Sequence, residues 1–151
     1  MNESIIIREY SIEDKLAVLA ILRLNTPAYF SPDEEVSFID FLGQKIELYY
    51  VVLIKDVIIG AGGINFNEKQ TNGFISWGMI HPDYQRQSIG SALLKYRIEK
   101  LQEINSIEHI IVRTSQMVYR FYEKNGFTLK NIVKDYWAKG FDLYHMIYQN
   151  E

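Results

Sequence analysis

The chain has 151 residues, with 16 basic and 19 acidic side chains, a net charge of −3 and no cysteine. This length is enough for one domain with its own core, so we expect a single domain over residues 1–151. The lack of cysteine excludes disulfide scaffolds and thiol nucleophiles, and the weak acidic charge disfavours nucleic-acid partners.

The amino-terminal segment has neither a basic region nor a long apolar run, which argues against a signal peptide. No other run approaches the roughly 20 apolar residues of a membrane span. The three histidines are widely spaced, so a metal site is not expected. We therefore expect a soluble cytoplasmic protein without membrane contact.

The first third of the chain predicts a strand followed by two helices. Residues 4–10 contain alternating apolar side chains typical of a short strand. The next segment, 12–24, has apolar residues at helical spacing. Residues 31–34, Ser-Pro-Asp-Glu, form a helix start with a capping box. That second helix is predicted to run to about residue 42, with Gly43 past its end.

The middle of the chain predicts three strands, a long helix and a further strand. Two β-branched and aromatic runs flank the polar pair Lys55-Asp56, which indicates a hairpin. Another strand, over 73–80, leads to a helix whose apolar stripe extends from Ile89 to about Ile104. Residues 109–115 contain the apolar run from Ile110 to Val112, as expected for a strand covered on both faces.

The last segment predicts a short helix over 116–126 and two strands, 127–137 and 141–149, paired across residues 138–140. The order of elements is then βααβββαβαββ. This order indicates an α/β fold with a mixed sheet.

Two motifs in this arrangement resemble the GNAT superfamily of acyl-CoA N-acyltransferases. Residues 85–90, QRQSIG, resemble the family's Q/R-x-x-G-x-G/A pyrophosphate loop, and residues 121–127, FYEKNGF, resemble its Y-x-x-x-G-F block. The resemblance covers essentially the whole chain. It implies a single-domain, mostly antiparallel twisted sheet of about seven strands flanked by about four helices, with acetyl-CoA as cosubstrate.

The loop resemblance has a physical basis, because successive backbone N–H groups at a helix start can ring a pyrophosphate. We expect cofactor contacts from Met79, Ile80, Gln85, Arg86, Gln87, Ser88, Ile89, Gly90 and Ser91, and contacts to the pantetheine arm from Ser115 or Gln116. Ser88 stands where the family usually has glycine, and serine reaches a positive φ less easily. Serine is also a favourable N-cap residue and can donate a hydrogen bond to phosphate.

The resemblance implies that Tyr122 protonates the leaving sulfur and that a backbone N–H near Gly78 or Met79 meets the thioester carbonyl at a bulge. A phenol with a pKa of about 10 suits a thiol leaving group. The carboxylates that usually serve as the base are missing, since Phe74 and Ile111 occupy their positions. Glu34, Glu35, His81 or a water held by backbone carbonyls remain as candidates, and the base stays unassigned.

The resemblance also places the acceptor between the first two helices and the last strand pair. The expected substrate contacts are the aromatic residues Tyr29, Phe30, Trp77 and Tyr136, with Phe38 and Trp137 nearby. An aromatic cleft with an acidic rim suits a cationic amine or a peptide N-terminus.

The sequence thus predicts an N-acetyltransferase that moves an acetyl group from acetyl-CoA to a primary amine of a small molecule or a protein N-terminus. Transfer is expected by direct attack in a ternary complex. A non-catalytic acyl-CoA-binding or sensor module is the alternative; the missing carboxylates favour it and Tyr122 opposes it. A dinucleotide-binding Rossmann unit is disfavoured because G-x-G-x-x-G is absent. A homodimer is left open.

Overall fold

The computed structural model describes residues 4–85 and 88–149. Within these ranges, seven strands and four α-helices follow the predicted order. The strands are β1 (Ile6–Glu9), β2 (Leu48–Ile54), β3 (Val57–Phe66), β4 (Asn72–Ile80), β5 (His109–Thr114), β6 (Phe127–Ala138) and β7 (Phe141–Tyr148). The helices are α1 (Lys15–Leu24), α2 (Glu34–Asp40), α3 (Ile89–Gln102) and α4 (Tyr119–Lys124). None of these helices is long and apolar enough to cross a membrane.

The strands form one sheet in the order β1-β2-β3-β4-β5-β7-β6. Every neighbouring pair is antiparallel except β4 and β5, which run parallel. The predicted α/β fold class, a mixed and mostly antiparallel sheet of seven strands with four helices, is therefore confirmed. The parallel pair is short, since Asn72 to Ile75 of β4 oppose His109 to Val112 of β5 and both strands continue beyond this ladder. Beyond Ile75 and Val112 the two strands are no longer paired, so the sheet opens between them.

Two apolar clusters cover the two faces of the sheet. The α3 face packs α3 and α4 against alternate strand residues, and its fully buried members include Ile59, Ile64, Leu93, Leu101 and Met146. The α1 face packs α1 and α2 against the opposite side, and includes Val18, Leu22, Phe38, Val51 and Ala61. Because successive strand residues point to opposite faces, neighbours such as Val51 and Val52 serve different clusters.

The predicted hairpins are present. Lys55 and Asp56 join β2 to β3 with φ values of +50° and +67°. Two successive positive φ values define the primed turn that matches the twist of paired strands. The β6–β7 hairpin closes at Lys139 and Gly140, and Gly140 has φ +84°.

The start of the second helix keeps only part of the predicted capping pattern, because α2 begins at Glu34 with Asp33 as its N-cap instead of Ser31. Its end also differs from the prediction. Glu34 Oε2 accepts a hydrogen bond from Ser31 N at 2.8 Å, and Ser31 Oγ accepts one from Asp33 N at 3.2 Å. The prediction that Gly43 lies past the helix end is wrong, because the chain continues as a π-helical turn over Phe41–Lys45. This wider turn keeps Phe41 and the residue after it buried on the α1 face.

Candidate active site

A bulge in β4 marks the point where the sheet opens. Two residues of β4, Trp77 and Gly78, oppose the single residue Gly62 of β3. Trp77 has φ +45°, and Tyr49 Oη donates a hydrogen bond to its carbonyl oxygen at 2.8 Å. Bulges increase local twist and re-aim the backbone next to functional sites. The bulge expected near Gly78 is therefore present.

A cleft of about 1130 Å³ lies where β4 and β5 separate. Its walls come from the α1–α2 connection, β4, the start of α3, the end of β5, α4 and the β6–β7 hairpin. Most of the predicted site residues line it: Tyr29, Phe30, Trp77, Met79, Ile80, Gln85, Ser88, Gly90, Ser91, Ser115, Gln116 and Tyr122. The volume exceeds that of a typical small-ligand pocket, so the cleft can hold a long ligand with an acceptor beside it.

Several predicted contacts lie elsewhere. Ile89 is 5% exposed, packs into the α3 face and is not among the described residues of the cleft wall. Tyr136 is not among the described residues of the cleft wall; its hydroxyl accepts a hydrogen bond from Arg113 Nη2 at 2.7 Å, while the neighbouring Trp137 lines the wall. Phe38 is fully buried beneath Trp77. Arg86 and Gln87 lie outside the described residues.

The start of α3 faces the cleft through Ser88, Gly90 and Ser91. Ser88 has φ +65° and ψ +12°, the left-handed conformation that glycine adopts without strain, and its side chain makes no capping hydrogen bond. Ser88 is therefore the N-cap residue of α3, but its hydroxyl does not cap the helix. The basic side chains of Arg120 and Lys124 also line the cleft. A helix start with nearby cations can hold an anionic group such as a phosphate.

Gln85 fixes the loop that precedes α3. Its Nε2 donates to Asn25 Oδ1 at 3.0 Å and to the Ile80 carbonyl at 3.0 Å. Asn25 is 2% exposed, and its own Nδ2 donates to the Ile21 and Ile80 carbonyls. Sequence reasoning treated Asn25 only as a helix end, because its distant partners leave no local signal.

The two candidates for the pantetheine arm differ in their contacts. The Gln116 amide is engaged at both ends, donating to the Gly140 carbonyl at 2.7 Å and accepting from Asp142 N at 2.9 Å. Ser115 is 6% exposed, and its Oγ accepts from Met117 N at 3.2 Å. A hydroxyl in that position still has its own hydrogen to donate.

Tyr122 and Arg97 lie together under the bulge, and both line the cleft. A Cβ atom added at Gly78 would lie 3.2 Å from Arg97 Nη2 and 3.7 Å from Tyr122 Oη. Burial raises the pKa of Tyr122 above its ordinary value, and the nearby Arg97 guanidinium partly offsets this effect. Sequence reasoning missed Arg97, although it falls four residues after Leu93 on the apolar stripe of α3, where a charge is out of place.

The carboxylates considered as a base are placed very differently. Glu34 is the only carboxylate among the described residues of the cleft wall, and burial raises its pKa. Glu35 instead forms an ion pair with Arg23 at 3.0 Å, and this partner lowers the Glu35 pKa. His81 Nδ1 accepts a hydrogen bond from Asp83 N at 3.0 Å, outside that wall. No group of three or more metal-binding side chains occurs in the ranges described.

The mixed sheet thus opens between its two parallel strands, beside the start of α3. The chain belongs to the Acetyltransferase (GNAT) family, whose model matches residues 17–127. The predicted family membership is thereby confirmed.

Among curated proteins, the chain is similar to N-alpha-acetyltransferase 30 of Dictyostelium discoideum, with 29% identity over 114 residues. That match covers 71% of this chain but 60% of the relative's length. The fold is similar to the ribosomal-protein-S18-alanine N-acetyltransferase of Escherichia coli, with TM-score 0.78 and 18% identity over 96% of this chain and 93% of that one. It is also similar to the PaiA N-acetyltransferase of Thermoplasma acidophilum in complex with coenzyme A, with TM-score 0.75 and 18% identity over 97% and 99% of the two chains.

Proposed function

We propose that the protein transfers an acetyl group from acetyl-CoA to a primary amine, preferentially the α-amine of a peptide, with Tyr122 as the general acid. The observation that carries this proposal is the position of the Tyr122 hydroxyl beside Gly78, at the β4 bulge that lies beyond the β4–β5 ladder. The similarity to an N-alpha-acetyltransferase supports a peptide N-terminus as acceptor. A small-molecule amine is the other acceptor that the cleft admits.

The residues of the cleft fit coenzyme A. The start of α3, together with Arg120 and Lys124, offers N–H groups and positive charge to a pyrophosphate. Ser115 offers a hydroxyl to the amide-rich pantetheine arm. Acetyl-CoA supplies the activated acyl group, and a backbone N–H near Gly78 polarises its carbonyl.

We assign the proton acceptor to Glu34. The amine nitrogen forms a bond to the carbonyl carbon, the carbon–sulfur bond breaks, Glu34 takes the proton of the amine, and Tyr122 gives its proton to the sulfur. The products are an amide and a free thiol. Glu34 suits this role because it faces the cleft and because burial, by raising its pKa, makes it a better base than an exposed carboxylate.

Release of free thiol from acetyl-CoA, measured over a panel of peptides and small amines, tests the proposed activity. Tyr122→Phe should lower turnover by roughly 10- to 10³-fold while leaving acetyl-CoA binding almost unchanged. Tyr119→Phe, on the same helix but outside the described cleft wall, is the matched control. Tight acetyl-CoA binding without thiol release for any amine would instead favour a non-catalytic acyl-CoA-binding module.

The assignment of Glu34 is tested by Glu34→Gln, which keeps an oxygen to accept the hydrogen bond from Ser31 N. We expect turnover to fall by about 10²-fold, because the amide cannot take a proton at working pH. Glu35→Gln, at the adjacent carboxylate outside the described cleft wall, should leave turnover unchanged. Equal turnover in the two variants would remove Glu34 from the mechanism.

A further inference from the structure

Arg97 is a buried cation that pairs with no carboxylate in the part of the chain described. The residue is 2% exposed. Its guanidinium donates to three carbonyl oxygens, those of Leu93 at 3.4 Å, Gly63 at 3.2 Å and Ser76 at 3.4 Å. Burying a charge against neutral acceptors alone is costly, and an apolar residue of similar volume is often as stable or more stable. The position of Arg97 on the apolar stripe of α3 is thus unfavourable for packing.

The backbone around the bulge leaves room for this guanidinium. A Cβ atom added at Gly62 would lie 2.8 Å from Arg97 Cζ, and one added at Gly78 would lie 3.2 Å from Arg97 Nη2. Two adjacent strands therefore lack a side chain at the place where the guanidinium meets the cleft.

Three tyrosines are the titratable groups that act on this guanidinium. Tyr122 of α4 and Tyr49 and Tyr50 of β2 are the groups whose charges affect the pKa of Arg97. The Tyr49 hydroxyl donates a hydrogen bond to the Trp77 carbonyl. Among the groups described, Arg97 is the one whose charge lowers the pKa of the Tyr122 phenol, against the effect of burial.

We infer that Arg97 is a positioning residue for Tyr122: the guanidinium orients the phenol at the bulge and stabilises the phenolate left when the phenol gives up its proton. In that step the phenol O–H bond breaks, an S–H bond forms, and the negative charge on Tyr122 Oη faces Arg97 until solvent, which takes up the amine proton from Glu34, returns one to the phenolate. The expected effect of Arg97 on turnover rests on the proposed function. The expected effect of Arg97 on the ionisation of Tyr122 is independent of that function.

The ionisation of Tyr122 is measured by ¹⁹F NMR titration of full-length protein labelled with 3-fluorotyrosine, whose more acidic phenol titrates at a lower pH. The Tyr122 resonance is the one missing from Tyr122→Phe. Arg97→Met should raise the Tyr122 pKa by about one to three units, and Arg97→Lys should keep part of the effect. Lys95→Met, which removes the same charge from an exposed position of α3, should change nothing. An unchanged Tyr122 titration in a folded Arg97→Met protein overturns the inference.

Turnover gives the second readout. Arg97→Met should lower kcat by roughly 10- to 10²-fold with the KM for acetyl-CoA almost unchanged, and Arg97→Lys should recover part of the loss. If wild-type protein releases no thiol, the proposed function fails while the titration still decides the inference. If kcat falls but the titration is unmoved, the inference fails and the proposed function stands. Arg97→Gln, a shorter neutral side chain that keeps a donor, replaces Met if Met prevents folding.

Discussion

The two faces of the sheet meet at one bulge but are built from different chemistry. The α1 face at Trp77 is aromatic: the Phe38 ring lies 4.8 Å from the Trp77 ring, and Phe30 stacks on Trp77 at 6.0 Å between centroids. The α3 face at Gly78 holds instead a buried cation and a buried phenol, Arg97 and Tyr122. One face therefore shapes an acceptor wall by packing, with the proposed base Glu34 at the start of α2, and the other carries the buried cation and the proposed general acid.

This difference shows that adjacent residues of one strand can contribute to different parts of a site. Trp77 and Gly78 are neighbours in sequence, but the pleat and the bulge direct one toward aromatic side chains and the other toward Arg97. Mutations on the two faces should consequently have separable effects. Truncation of the aromatic side chains packed on the α1 face should alter stability and acceptor binding, and changes at Arg97 or Tyr122 should alter turnover.

The largest expected effect on stability comes from Phe38→Ala. Phe38 is fully buried on the α1 face, so truncation should cost roughly 3–5 kcal/mol of unfolding free energy. Loss of its support under Trp77 should also raise the KM for the acceptor. Ile64→Ala, at a fully buried position of the α3 face, should cost roughly 2–5 kcal/mol without that change in KM. Chemical denaturation measures the loss of stability in both variants, and acceptor titrations measure their KM. An equal rise in KM for Phe38→Ala and Ile64→Ala would contradict the proposed division between the two faces.

A smaller effect is expected at the start of α1, away from the bulge. The Asp14 carboxylate accepts two hydrogen bonds from Arg8, at 2.8 and 3.0 Å, and one from Ser11 N at 2.9 Å. Asp14→Asn should therefore cost about 2 kcal/mol near neutral pH, with turnover unchanged. Hydrogen bonding by Arg8 lowers the pKa of Asp14, so the contribution of Asp14 is present above the unfolded pKa of the carboxyl.

The pH dependence follows from that sign. The difference in stability between wild type and Asp14→Asn should hold above pH ~4, the ordinary value for aspartate, and shrink as the pH falls through the lowered folded pKa. Thermal unfolding of both proteins across this range is the measurement. A difference that stayed constant into strong acid would mean that the carboxylate charge contributes nothing.

The bulge itself is tested by Tyr49→Phe, with an expected cost of about 1 kcal/mol. Tyr49 is 3% exposed, and its hydroxyl is the donor to the Trp77 carbonyl. Because Trp77 has φ +45°, the strand needs such a contact to keep its strained conformation. We expect turnover to fall several-fold more than the loss of stability explains, whereas Tyr50→Phe, a buried neighbour on the other face, should leave turnover unaffected.

Much of the fold could be predicted because its signals are local. Three such signals are the hydrogen bond from Ser31 N to Glu34, the polar hairpin at Lys55-Asp56 and the stripe of α3, which each depend on residues close in sequence. The prediction at Gly43 failed because glycine after an apolar run is only a common helix end, and burial of Phe41 was met by a wider turn instead.

The site was less predictable, since its contacts join distant segments. Asn25 and Arg97 take their roles from carbonyls of β4 far along the chain, so neither belongs to a recognisable motif. Arg97 did leave a trace as a charge within an apolar stripe. The family motifs located Tyr122 and the loop before α3, but they carry no information on the buried cation beside the tyrosine.

The smallest expected effect concerns Ser88, at the start of α3. Its φ of +65° is the conformation that the family's usual glycine adopts freely. Ser88→Gly should relieve this strain but give the unfolded chain more freedom, so stability should change by less than about 1 kcal/mol. Acetyl-CoA should bind as well or slightly better, whereas Ser88→Ala keeps the strain and removes the hydroxyl. Calorimetric titration of both variants separates the two roles, because weaker binding in both would mean that the hydroxyl holds phosphate.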